Sequence, residues 1–152
     1  YFGPGIENIM SKDYYELDET IIKNPEDLDY NRMIEATKEV VKDIADLGKV
    51  LLISRGASAI LKDKPNTLKI FFVASEEDRI ERAKKMHNLS SDNDAIDLLK
   101  HADHAQNEYY LKAFGLNFED LGIYHAVLNT SNLTPEDCCK VIFSLIEEKL
   151  EV

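Results

Sequence analysis

The sequence predicts a single α/β domain in which a parallel sheet is flanked by helices. Three observations lead there. Short continuous apolar runs recur at residues 50–53, 68–74 and 124–128, the pattern of strands buried on both faces. Segments with apolar residues at helical spacing lie before, between and after them. Strands alternating with helices in this way specify a parallel sheet with crossover helices.

The elements follow in order. Residues 1–23 carry a weak signal, with a loop suggested by Gly3, Pro4 and Gly5. Asn24 can cap a helix whose first turn holds Pro25, Glu26 and Asp27. Met33, Ile34, Val40, Val41, Ile44, Ala45 and Leu47 supply its apolar stripe, and Gly48 its left-handed stop. The first strand is expected at 50–53, followed by the turn Ser54, Arg55, Gly56 and a short helix over 57–61. Pro65 and Asn66 turn the chain into a second buried strand at 68–74. Ser75 caps the next helix, with Asp78 as its capping-box acid, and that helix runs to about His87. Ser90 or Ser91 opens a long helix that ends near Gly115. The third strand is expected at 124–128. Thr134, Pro135 and Asp137 then start a final helix with a buried stripe of Val141, Ile142, Leu145, Ile146 and Leu150.

Bulk properties exclude several classes. The chain has 152 residues, 44% hydrophobic and 31% charged, which suits one folded domain. Its formal net charge of −11 repels phosphate backbones, so general nucleic-acid binding is not expected. A small anion can still be held where a few arginines reverse the local field. No apolar run reaches the ~18–20 residues of a membrane helix, and the first residues lack the pattern of a secretory leader. Cys138 and Cys139 are adjacent, unsuited to pairing with each other or to a zinc site, and read as thiols of a reducing cytoplasm.

Candidate chemistry sits beyond the carboxyl ends of the strands, where open α/β sheets bind ligands. Arg55, between a strand and a glycine, could present its guanidinium to a phosphate or pair with a surface acid; its position alone does not choose. Arg79 and Arg82, three apart, share a helical face with Lys84 and Lys85 close by. Such a cluster suits phosphoryl transfer. Glu76, Glu77, Asp78 and Glu81 are interleaved, however, so on the residues alone a salt-bridged solvated face is favoured. His101 and His104 have no companion metal motif, and neither His87 nor His125 has a visible nucleophile or acid beside it. No metal site is expected. No GxxxxGK[ST] loop occurs anywhere, so no backbone cradle for nucleotide phosphates is visible.

Taken together, residues 30–146 resemble the cytidylate-kinase-like family of P-loop kinases. The stretch SRGASAILKDKPNTLKIFFVASEEDRIERA, residues 54–83, looks like that family's glycine-arginine turn, its "ILKDxPNxLKxF" segment and its "RIxR" helix. ADHAQNEYYLKAFG and YHAVLNTSNL resemble its mobile lid and last strand. The resemblance implies a three-layer P-loop-kinase-like fold and ATP- and magnesium-dependent phosphorylation of a nucleoside monophosphate such as CMP or dCMP. On that basis Arg55 and Gly56 belong to the acceptor site, with Asp103 and Gln106 on the lid. Arg79 and Arg82 stand near the transferring phosphoryl group, and Asn129 and Thr130 near the nucleotide base. The implied partner is a small nucleotide, with a protein partner or a second copy as the further option.

The departures from the family pattern are specific. Ser54 stands in place of the usual glycine, and Gly56 in place of an acceptor-binding aspartate. Gln106 stands where the lid normally has arginine, and His125 where the last strand normally has aspartate. In the family the phosphate-loop strand lies between the strands expected here at 50–53 and 68–74. Without it the first strand is missing or atypical, and the chain alone is expected to be inactive. Unpaired backbone groups in such a gap would cost ~1–3 kcal/mol each against a total stability of ~5–15 kcal/mol. Three resolutions follow: a longer natural chain, an atypical strand from residues 1–23, or direct pairing of 50–53 with 68–74. The alternative function is a degenerate, non-catalytic domain that binds a protein or senses a nucleotide.

Overall fold

The computed structural model describes residues 28–53 and 56–149. Residues 1–23, the cap at Asn24, the turn residue Arg55 and Leu150 lie outside them. Helix α1 spans Leu28–Asp46. It buries Ile34 and Val41 and leaves Val40 and Leu47 exposed, so its buried stripe is narrower than the sequence suggested. Gly48, at φ +67, ends it as expected.

The strand expected at 50–53 is absent. These residues belong to no helix or strand, and Leu51 is 72% exposed. Only Leu52 turns inward, against the cluster of Val41, Ala57 and Leu61. The physical reason is pairing. A central strand needs neighbours, and no described strand runs alongside this segment. Direct pairing with 68–74 is likewise overturned. Strand β1, Ile70–Val73, pairs instead with β2, Ala126–Asn129, in parallel, with Ile70 opposite Ala126 and Val73 opposite Asn129. β1 is also less buried than a central strand, since Phe72 is 51% exposed.

Helix α2, Ala57–Ile60, packs on α1, and its start is the left-handed Gly56. The β1-to-β2 crossover consists of helix α3, Glu76–His87, helix α4, Asp92–Phe114, and a 3-10 turn at Leu121–Ile123. Ser75 caps α3 by accepting the Asp78 N–H at 3.2 Å. The other half of the expected box is replaced, because the Ser75 N–H donates to Ser131 Oγ at 2.8 Å. Ser91 is the cap of α4, and Gly115, at φ +65, its stop. Helix α5, Pro135–Lys149, has the full expected box: Thr134 Oγ1 accepts the Asp137 N–H, and Asp137 Oδ2 accepts the Thr134 N–H. Its stripe buries less than expected, with Val141 exposed and Ile142, Leu145 and Ile146 half-buried.

A second cluster joins the sheet to the end of α4. Ala59, Tyr110 and Phe118 are buried with Phe71, Tyr109 and Phe114 around them. Phe71 stacks on Tyr124 at 4.8 Å between ring centroids, and the Tyr124 hydroxyl donates to Phe118 O at 2.9 Å. Lys69 is 7% exposed. Its ammonium donates to the carbonyls of Leu61 and Lys62 just past α2, and burial pulls its pKa down. His125 has a backbone partner: its Nδ1 accepts the Lys69 N–H at 3.0 Å, while its own N–H donates to Lys69 O. Cys138 is buried, Cys139 exposed, and both are free. Among the described residues no helix is long and apolar enough to cross a membrane.

Candidate functional site

The two strands run in parallel, so their carboxyl ends open on the same side. Ala74 and Ser75 leave β1 there, and Thr130 and Ser131 leave β2. The two exits are tied together. Thr130 N–H donates to Val73 O at 2.8 Å, and Thr130 Oγ1 donates to the same carbonyl at 3.1 Å. Asn129 Oδ1 accepts the Ser131 N–H at 3.0 Å and so shapes the post-β2 turn. Hydrogen bonds from Ser131 and then Ser75 hold the Asp78 carboxyl below its usual pKa.

Both predicted catalytic arginines reach across to other elements, rather than pairing with the acids interleaved on α3. The Arg79 guanidinium donates twice to the Asp103 carboxylate on α4, at 2.6 and 2.9 Å. This pair raises the pKa of Arg79 above its ordinary value. Both side chains are more than a third exposed, so the pair contributes little stability, ~0–1 kcal/mol. Its consequence is orientation: the fork geometry fixes the guanidinium and neutralises it. One turn further along α3, Arg82 donates to Thr130 Oγ1 and Thr130 O, both at 2.8 Å. These partners are neutral, so Arg82 keeps its charge available to a ligand.

Between α3 and α4 lies a cleft of about 300 Å³ beginning at Ala74. Ile80, Ile96 and Leu99 form its apolar part, and Glu76, Arg79, Lys100 and Asp103 its polar part. The structure therefore brings Arg79 together with Asp103, and Arg82 with Thr130 next to Asn129. Gln106 is half-buried and lies outside this cleft lining. Gly56 belongs to a different neighbourhood. A Cβ there would come within 2.5 Å of the Phe114 ring, near the far end of α4. Arg55 lies outside the described residues. Lys100 and Ser131 were missed as site residues in the sequence. The only signal for Lys100 was its place one turn before Asp103 on the same helical face.

Against known families, residues 5–132 match the cytidylate kinase-like family. The chain belongs to the cytidylate kinase-like family. The match begins earlier than the motifs that suggested it and stops before residue 146. The chain is 25% identical over 142 residues to the cytidylate kinase of Sulfolobus acidocaldarius, covering 93% of this chain and 69% of that protein. It is 31% identical over 83 residues to the cytidylate kinase of Thermoplasma acidophilum, covering 55% of this chain and 44% of that protein. The crystal structure of an uncharacterized protein from Eubacterium ventriosum superposes with a TM-score of 0.68 at 16% identity, covering 97% of this chain and 83% of the other. That likeness is one of fold: mixed α/β, with a small parallel sheet and helices.

The cleft holds two cations, Arg79 and Lys100, and two carboxylates, Glu76 and Asp103. Arg82, Arg79 and Lys100 are suitable donors for the phosphates of a nucleotide such as ATP. Magnesium fits less well. Among the described residues no three His, Cys, Asp or Glu side chains gather to hold a metal.

Proposed function

We propose that this chain is a single domain of a cytidylate-type, ATP-dependent nucleoside monophosphate kinase of the cytoplasm, built on a three-layer P-loop-kinase-like sheet, and that with no GxxxxGK[ST] loop in its sequence it is inactive on its own. The observation that carries this is the pair of arginines on the helix that follows β1, with Arg82 held on Thr130 just past β2 and Arg79 held on Asp103 of α4. Arg55 binds the acceptor phosphate, with Asp103 and Gln106 on the lid side; Gly56, buried against the Phe114 ring, serves the turn that carries Arg55. Asn129 and Thr130 border the nucleotide base. Arg82, already fixed by two hydrogen bonds, stabilises developing negative charge without reorganising. ATP supplies the phosphoryl group when bound, and no step is assigned to magnesium because no described ligand set fits it.

A second function is favoured by two observations: Gln106 brings no charge to the lid, and Asp103 neutralises Arg79. A degenerate domain that binds nucleotide or protein without phosphoryl transfer would tolerate both. The deciding assay follows phosphate from ATP to CMP in the chain joined to a GxxxxGK[ST] strand-and-loop segment, since its own sequence carries no such loop. A kinase should lose turnover by roughly 10³-fold in Arg82→Ala, the scale of losing a transition-state arginine. Turnover indifferent to Arg82→Ala would sink the assignment. CMP binding without turnover would support the non-catalytic function.

A further inference from the structure

The turn after β2 is clamped to α3 at two points. Thr130 takes the Arg82 guanidinium on its hydroxyl and its carbonyl, both at 2.8 Å. Its neighbour Ser131 takes the N–H of Ser75, the cap of the same helix, at 2.8 Å. The donors and acceptors settle where the hydroxyl protons go. Thr130 Oγ1 accepts from Arg82, so its own proton goes to Val73 O at 3.1 Å. Ser75 Oγ accepts the Asp78 N–H and donates to Asp78 Oδ2 at 3.1 Å. Ser131 Oγ therefore donates toward Ser75 Oγ, at 3.3 Å, and the Asp78 carboxylate also attracts its proton. The protons of Ser131 and Ser75 thus point toward one negative charge, and such bonds reinforce one another. Arg82 forms no ion pair with a described carboxylate, so its orientation depends on where Thr130 stands.

We propose that Ser131 is a positioning residue: its hydroxyl pins the turn after β2 to the start of α3, so that Thr130 holds the Arg82 guanidinium in one orientation before any ligand arrives. Resting on the kinase assignment above, this explains how the guanidinium meets developing charge without reorganising. Ser131 itself touches no reacting atom. Without its hydroxyl the Ser75 N–H loses its acceptor, and Thr130 alone still bonds the turn to α3.

The test is NMR of the Arg82 side chain in the full chain without ligand, read as the rate at which its Nη1 and Nη2 groups exchange by rotation. Exchange in the wild type should be slow, as at Arg79, which Asp103 holds independently. Ser131→Ala should speed exchange at Arg82 about tenfold, the scale of one hydrogen bond, and leave Arg79 within about twofold of the wild type. Ser131→Thr keeps the hydroxyl and should keep exchange slow. Ser131→Cys, similar in size but a weak hydrogen-bonding group, should match the alanine variant and replaces it if that variant does not fold. Unchanged exchange at Arg82 in these variants would overturn the proposal, as would equal acceleration at Arg79, fast exchange in Ser131→Thr, or fast exchange in the wild type. The ATP-to-CMP assay above judges the kinase assignment separately. Turnover indifferent to Arg82→Ala, with an Arg82 signal that depends on Ser131, removes the kinase and spares the pin; Arg82-dependent turnover, with an Arg82 signal indifferent to Ser131, does the reverse.

Discussion

Replacing Gly56 by alanine tests how the turn before α2 is held. Gly56 sits at φ +70, where an L-residue with a Cβ costs ~1–2 kcal/mol. The added carbon would also stand 2.5 Å from two atoms of the Phe114 ring and 3.4 Å from Tyr109. The ring cannot retreat freely, because it packs edge-on against both Tyr109 and Tyr110 at 5.5 Å. Overpacking of this kind adds ~1–3 kcal/mol, for a total of ~2–5 kcal/mol. Gly115 is the internal control. It has nearly the same φ, +65, but a Cβ added there would meet nothing within 4 Å, so Gly115→Ala should cost only the backbone part. Urea unfolding of both variants separates the two contributions. Gly56→Ala should exceed Gly115→Ala by ~1–3 kcal/mol, and Gly56→Ala/Phe114→Leu should recover much of the excess. Equal losses in the two alanine variants would refute the claim that the turn is packed against the end of α4.

Lys69→Met keeps side-chain bulk but removes the ammonium from the carbonyls of Leu61 and Lys62; chemical denaturation should show a loss of ~1–3 kcal/mol. Thr134→Ala removes the cap of α5 and should cost ~1 kcal/mol in the same experiment. Because the folded-state pKa of Asp78 is depressed by Ser131 and Ser75, its contribution to stability is present above the ordinary carboxylate pKa and is lost as pH falls through the lower folded value. Ser131→Ala should move the NMR titration of Asp78 upward and flatten that acid limb. His125 titrates below its ordinary value, chiefly through burial and then the charges of Lys69 and Lys149. Stability should therefore fall as pH drops below about 6.5 through the lower folded pKa, and His125→Gln should remove that slope.

Much of the local structure was legible because it is encoded locally. Gly48 and Gly115 stop helices where left-handed backbone is needed, and the Thr134–Asp137 box starts α5 as its sequence implies. Strand pairing is a non-local property, and there the reading failed. An apolar run such as 50–53 satisfies the pattern of a buried strand, but its burial depends on neighbours far along the chain. The same limit applies at the site. Arg79 finds Asp103 across 24 positions and Arg82 finds Thr130 across 48, so the nearby Glu76 and Glu81 misled any reading by proximity. Lys100 stayed hidden in an acid-rich helix until the packing of α3 on α4 gave it a cleft to face.

The most direct test of the central claim is a calorimetric titration of the chain with CMP, repeated with Arg55→Ala. A cytidylate-type acceptor site predicts saturable binding to the wild type and its loss, by about tenfold or more, when the phosphate-binding guanidinium is removed. A folded chain that binds no CMP, or binds it equally well without Arg55, would contradict the kinase assignment.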